Sequence, residues 1–503
     1  MLSTQKNRYA KVISVGFVGL EPRILEIECH QSVQLPNFQV VGMRSREAHA
    51  LYERVRAALF SCGHRLPSRK ITVNLSPTTL DFFSEELDLP VALACLCAEG
   101  VISAKKLQNI LLLGGLGLDG SVKRVRSANS LTFFLQKNSL RGGILPLENS
   151  FFLKEEQLKH GGGFSHLKEV LHFLQGGGDG KKSTLPRAPE NIFSSAGFEH
   201  IRALWPVKQA LLLAAAGSHH CLLLGPPGVG KSMLCAAYPG ILPPLEEKER
   251  EEVQAIYEFA GLEAPSARPF RLPHGSITKR ALLGGIGQVV GELSLAHRGV
   301  LFLDEILEMD KSVLETLRVP MESGEIHLAR ANMQMKLPAR VQLLASANHC
   351  PCGQLGARRK ICLCTPREVR QYQKKLSHAL KDRIDIKISL YEQDQASSFG
   401  EIDGNSADFA KKASMARERM RLRQERPNAQ LVGGEIFQVL PWQTKAKTLL
   451  EHYSREHDLS ERSLVALGRL SLTIADLKQS EAVEEAMVLE AAHYRMEEGL
   501  PTK

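Results

Sequence analysis

The segment Cys221 to Leu234, CLLLGPPGVGKSML, restricts this chain more than any other. An apolar run must end in the octet Gly225-Pro226-Pro227-Gly228-Val229-Gly230-Lys231-Ser232 and continue as a helix, so the spacing predicts a strand, a glycine-rich turn and a helix in direct succession. Such a turn lets successive backbone N–H groups converge on phosphates, and the helix start adds its partial positive charge. Lys231 would reach the outer phosphates and the Ser232 hydroxyl would offer an oxygen to magnesium, which makes all eight residues candidate nucleotide contacts.

Downstream, Gly299-Val-Leu-Phe-Leu-Asp304-Glu305 is an apolar run closed by two acids, as a buried parallel strand carrying metal-associated carboxylates should read. Asp304 would hold magnesium together with Ser232, and Glu305 would orient or deprotonate the attacking water, the division of labour that phosphoryl transfer needs. A third strand, Val341 to Asn348, ends in an amide, and Asn348 is the candidate sensor for a water near the outer phosphate. An Asn closing a strand is by itself a turn former. Its order after the other two motifs gives it the functional reading.

At 503 residues, 43% of them hydrophobic, the chain can bury large cores and should hold two or three domains. No uninterrupted apolar run reaches the roughly eighteen residues of a membrane helix, and the start, MLSTQKNRY, lacks the apolar centre of a signal peptide. A cytoplasmic protein without membrane attachment is expected. The formal charge of +9 suits a polyanionic partner, although the excess is modest for this length. Ten cysteines in such a compartment argue for reduced thiols or metal ligands over a disulfide framework.

The Gly-, Pro- and charge-rich stretch from Gln175 to Pro189 marks the clearest boundary. The expected division is an N-terminal domain over 1–174, a linker over 175–192, an ATPase core over 193–390 and a helical lid over 391–503. In the first, Tyr9 to Val41 alternates like strands, Ser45 to Cys62 has the apolar spacing of a helix, Lys70 to Leu75 reads as a strand and Leu89 to Ala98 as a helix. In the last, Leu464, Leu467, Leu470, Leu472, Ile474 and Leu477 recur at roughly helical spacing.

This motif set resembles the magnesium-chelatase-like branch of the AAA+ ATPases, and within it the ComM (YifB) family of competence and DNA-processing proteins. Nearly the whole chain carries the resemblance: LPNFQVVG at 35–42, ERVRAA at 53–58, KITVNL at 70–75, LDLPVAL at 87–93, RPFRLPH at 268–274, GELSLAHRGVLFLDE at 291–305 and KDRID at 381–385. It implies an α/β fold built from a Lon-protease-like α+β N-terminal domain, an AAA+ P-loop α/β core with pore hairpin insertions, and a C-terminal helical lid. It further implies an ATP-hydrolysing, magnesium-dependent homo-hexameric ring. That ring would act on single-stranded or branched DNA, in branch migration or strand integration during recombination or natural transformation.

By the same resemblance Arg383 is the arginine finger that a neighbouring subunit points at the outer phosphate, where a planar, permanently charged guanidinium stabilises transition-state charge. Arg462 is the second sensor, touching the nucleotide of its own subunit. Two segments resemble the family's DNA- or substrate-facing elements: the insert 268–298, with Arg271, Lys279, Arg280 and Arg298, and the hairpin-like 325–340, with Arg330, Lys336, Arg340 and a turn around Asn332. Spaced cations there would track phosphates without reading sequence.

Cys350-Pro-Cys352 and Cys362-Leu-Cys364 flank a basic loop with Arg358, Arg359 and Lys360. Four thiolates in paired register could enclose a tetrahedral zinc, yet each pair has one intervening residue where two to four are usual, so zinc and reduced thiols both stand. The stretch Ala203 to Lys208 lacks the Gly-Gln pair that the family places before the phosphate loop, and His349 stands where a proline is common. A metal-chelatase motor is the competing reading. Proteolysis has no support, because Ser76, Ser84 and Lys70 lie outside any glycine-flanked nucleophile turn.

Overall fold

The computed structural model describes residues 8–18, 21–80, 82, 84–125, 131, 134–135, 138–153, 155–183, 197–201, 204–260, 262–285, 289–330, 333–357, 360–391 and 405–495. Linker residues 184–192, Ala203, Asn332, Arg358, Arg359 and the side chain of Arg330 lie outside the described residues. The chain divides into two compact units, 1–188 with 254–264 and 189–253 with 265–503.

The first unit holds a mixed seven-stranded sheet in the order β3-β4-β2-β1-β5-β6-β7. Its strands are β1 (Tyr9–Val18), β2 (Glu21–Ser32), β3 (Asn37–Val41), β4 (Lys70–Ser76), β5 (Ile110–Leu112), β6 (Gly142–Pro146) and β7 (Gly162–Phe164). Strand β4 shows the logic of a one-sided sheet, burying Ile71, Val73 and Leu75 and turning the intervening residues outward. Helix α1 (Ser45–Ser61) is amphipathic, whereas α2 (Asp88–Glu99) is apolar nearly all round and therefore central. The buried Asp88 at the start of α2 accepts from two guanidinium nitrogens of Arg54 on α1, at 2.7 and 2.9 Å, which satisfies a charge the core would not otherwise tolerate.

The second unit is built on a five-stranded, all-parallel sheet in the order β9-β10-β13-β8-β14. These strands are β8 (Cys221–Leu224), β9 (Phe270–Arg271), β10 (Val300–Leu303), β13 (Gln342–Ala347) and β14 (Ile386–Ser389), with an antiparallel hairpin of β11 (Glu325–Arg330) and β12 (Met333–Pro338) between β10 and β13. Every residue of β10 and β13 is buried, as continuous apolar runs covered on both faces require. Helix α3 (Trp205–Gly217) precedes β8, and α4 (Lys231–Ala237) follows it. The C-terminal helices α5 (Ser406–Gln424), α6 (Thr444–Glu456), α7 (Glu461–Leu477) and α8 (Glu485–Arg495) join the same core, where Leu211, Leu344, Ile386, Met420, Leu470 and Val488 belong to one apolar cluster. No helix among the described residues is long and apolar enough to cross a membrane.

Candidate active site

Because β13 lies between β8 and β10, the carboxyl ends of three neighbouring strands deliver the glycine-rich octet, Asn348 and the pair Asp304–Glu305 side by side. The turn after β8 closes on Gly230, whose φ of 95° is open to glycine at little cost, and α4 starts at Lys231. The Lys231 ammonium folds back over that turn and donates to the Gly225 carbonyl at 2.6 Å, the Pro226 carbonyl at 2.9 Å and Asn348 Oδ1 at 3.1 Å. Burial pulls its pKa below the usual lysine range, and the opposing charges of Asp304 and Glu305 act against that pull. Three neutral oxygens are a weak shell for a buried ammonium, so a phosphate oxygen is the better partner.

Ser232 Oγ donates to the two Asp304 carboxylate oxygens at 3.2 and 3.4 Å. A hydroxyl and a carboxylate converging in this way form the hard-oxygen donor set that suits magnesium, and these two residues would hold it. Behind them stands Ser346, fully buried on β13. Its hydroxyl donates to Asp304 Oδ1 and accepts the Glu305 N–H at 3.1 Å. Glu305 itself has the left-handed conformation, φ 51° and ψ 46°, which costs a non-glycine residue roughly 1–2 kcal/mol and belongs where surrounding contacts enforce it. Ser346 was not singled out from sequence. The available signal was a hydroxyl inside an otherwise apolar strand, which must find a partner.

The two arginines lie elsewhere. Arg383 binds the Ala379 carbonyl at 2.7 Å and the Glu322 carboxylate, and Arg462 binds the other oxygen of the same Glu322 at 2.8 Å. Both line a cavity of about 1110 Å³ together with Arg340, and none of residues 225–232 lines it. Arg462, expected as the second sensor, stands next to Arg383, and the two guanidinium groups share Glu322.

The candidate DNA contacts are dispersed. Arg271 is committed to Glu292 through two bonds of 2.7 and 2.9 Å. Lys279 and Arg280 are exposed at the start of a short helix over Lys279–Leu283. Lys336 is exposed on β12, 4.0 Å from Glu325, whereas Arg340 sits at the base of the hairpin. Leu204, from the stretch before the glycine-rich turn, approaches that turn at Gly230.

The sulfurs of Cys350, Cys352, Cys362 and Cys364 all fall within 4.8 Å of one another, a grouping that could hold a metal ion. The loop carrying them leaves β13 directly after Asn348, and Gly353 within it packs on Pro227 of the octet.

Comparison with known proteins covers both units. Three family profiles match: magnesium chelatase subunit ChlI over residues 198–398, subunit ChlI of Mg-chelatase over 27–149, and the ChlI C-terminal segment over 403–495. The chain is 34% identical over 493 residues to a protein of Escherichia coli named YifB, covering 95% of each. It is 32% identical over 514 residues to the competence protein ComM of Haemophilus influenzae, covering 97% of each. A shorter stretch of 132 residues is 30% identical to the DNA helicase MCM8 of Xenopus tropicalis, covering 26% of this chain and 14% of the helicase.

Proposed function

The chain belongs to the magnesium-chelatase-like AAA+ ATPases of the ComM and YifB family, and from that premise we propose that it is an ATP-hydrolysing ring motor acting on DNA, in branch migration or strand integration. The observation that carries the ATPase reading is the convergence of Lys231 on Asn348 and of Ser232 on Asp304 at the ends of adjacent strands. Lys231 and the octet's N–H groups would bind the phosphates, Ser232 and Asp304 the magnesium, and Glu305 would take a proton from the attacking water. Magnesium, when bound, neutralises charge developing on the phosphate oxygens.

Arg383, with Arg462 beside it, would serve the nucleotide of a neighbouring subunit, which calls for a ring, most simply a homo-hexamer. The DNA reading is supported by the names of two relatives, a competence protein and a DNA helicase, and by the net charge of +9. Exposed Lys279, Arg280 and Lys336, with Arg330 on β11, would contact the DNA backbone. The cofactors of this reading are ATP, magnesium and, at the four-cysteine loop, zinc.

The test is ATP hydrolysis by the purified chain with and without single-stranded and branched DNA, beside an Arg330→Ala/Lys336→Ala variant. Stimulation by DNA that the variant loses, with basal hydrolysis kept, supports the proposal. Hydrolysis indifferent to every DNA form would move the assignment to a chelatase-like or protein-remodelling motor.

A further inference from the structure

We infer that Cys350, Cys352, Cys362 and Cys364 hold a single zinc ion, and that this ion fixes the sensor loop against the phosphate-binding turn. The second half of this inference rests on the nucleotide reading above; the first half does not.

Cys350 and Cys352 Sγ are 3.4 Å apart, Cys350 and Cys362 3.6 Å, and Cys352 and Cys362 3.7 Å, with Cys364 inside the same 4.8 Å group. A disulfide would bring two sulfurs to about 2.05 Å. Four thiolates around one zinc at about 2.3 Å have tetrahedral edges of about 3.8 Å, close to what is seen. A two-iron cluster shares four thiolates two to each iron and a four-iron cluster one to each, so in either the sulfurs spread over several metals, whereas this convergence fits one ion. An all-sulfur tetrahedral set selects zinc over magnesium or calcium. The Leu355 N–H donates to Cys350 Sγ at 3.3 Å, the kind of backbone bond that orients a metal-bound thiolate.

The described part of the loop has little core of its own to order it. The described residues between Cys350 and Cys364 form no helix or strand, and the two large apolar side chains beside the second pair, Ile361 and Leu363, are 83% and 86% exposed. A segment of that length with no core of its own needs a staple.

The loop also has a defined neighbour. Gly353, in the turn that follows Cys352, has φ 75°, and a β-carbon there would meet Pro227 Cγ at 3.0 Å and Asn348 Nδ2 at 3.8 Å. Asn348 in turn receives the Lys231 ammonium. The first Cys pair thus backs both the octet and the sensor residue, and releasing the second pair would remove that backing.

The experiment uses the full chain purified without chelator. Metal analysis should find one zinc per chain, and cobalt exchange should give the absorption of a tetrahedral thiolate site. The Cys362→Ser/Cys364→Ser variant should lose the zinc and drop kcat/KM for ATP on the order of tenfold or more, the cost of misplaced site residues. Gly353→Ala keeps all four thiols; it should retain zinc yet bind a fluorescent ATP analogue on the order of tenfold more weakly, because the added methyl displaces Pro227. Zinc below a tenth of the chain concentration, with no cobalt spectrum, overturns the metal site. Zinc present in the wild type, with both variants binding and turning over ATP normally, overturns the coupling. A wild-type chain that holds zinc but binds no ATP overturns the nucleotide reading and the coupling with it, and leaves the metal site standing.

Discussion

Replacing Ser346 by alanine deletes one buried atom from the centre of the site and touches none of the eight turn residues. That hydroxyl serves two partners, donating to the Asp304 carboxylate and accepting the Glu305 N–H at 3.1 Å. A buried N–H left unpaired costs about 1–3 kcal/mol, and a hydrogen bond to a charged group contributes about 1.5–3 kcal/mol. One hydroxyl makes both bonds, so the terms overlap and about 2–3 kcal/mol is the working figure. Glu305 is already held in a left-handed conformation, and the lost N–H bond removes part of what holds it there. At about 1.4 kcal/mol per factor of ten, a loss of positioning of this size lowers kcat on the order of tenfold to a hundredfold. Steady-state hydrolysis at saturating Mg-ATP measures that drop, and titration with a fluorescent ATP analogue should show a Kd within about threefold of wild type, since Lys231 and Asn348 keep their contacts. A kcat within about twofold of wild type, accompanied only by a lower unfolding temperature, would refute the argument and leave Ser346 a structural residue.

Lys231→Ala should abolish nucleotide binding or hydrolysis, and a variant with normal turnover would remove the site assignment. Glu305→Gln should bind ATP and fail to hydrolyse it, which a trapped-nucleotide assay on the isolated protein would reveal. Arg383→Ala should hydrolyse poorly alone but recover partial activity when mixed with Lys231→Ala chains, because each would supply what the other lacks; no recovery at any ratio argues against action between subunits. His220 accepts the Leu343 N–H on Nδ1 at 2.9 Å, and burial pushes its pKa from the ordinary 6.5 down to about 4. The unfolded chain therefore takes up this proton first as pH falls. Its contribution to stability is full above about pH 6.5 and declines toward pH 4 by at most about 3 kcal/mol, which denaturant titrations at several pH values would register and His220→Gln would flatten.

The candidate nucleotide residues stand out in the sequence because each is tied to a local pattern: a strand end, a glycine-rich turn, a helix start. Strand β4 and helix α1 were legible for the same reason, since alternation and helical periodicity declare which face is buried. What was not legible depends on sheet order or on pairing across long separations. Ser346 matters only because β13 lies beside β10, which no local pattern states. The commitment of Arg271 to Glu292, and the sharing of Glu322 by Arg383 and Arg462, join residues 21 to 140 positions apart. The C-x-C spacing leaves metal and free thiols both open, and the proposal of zinc rests on the distances between sulfurs, which no spacing states. The apolar faces of the C-terminal helices share one core with the parallel sheet, a packing that helical spacing alone does not state.

The central claim is that ATP hydrolysis at this site moves DNA. It is tested most directly by incubating the purified chain with a labelled four-way junction and Mg-ATP, beside Lys231→Ala and a linear duplex. ATP-dependent conversion of the junction into its arms, absent in the variant, is the predicted result. Steady ATP hydrolysis with the junction left intact would contradict it.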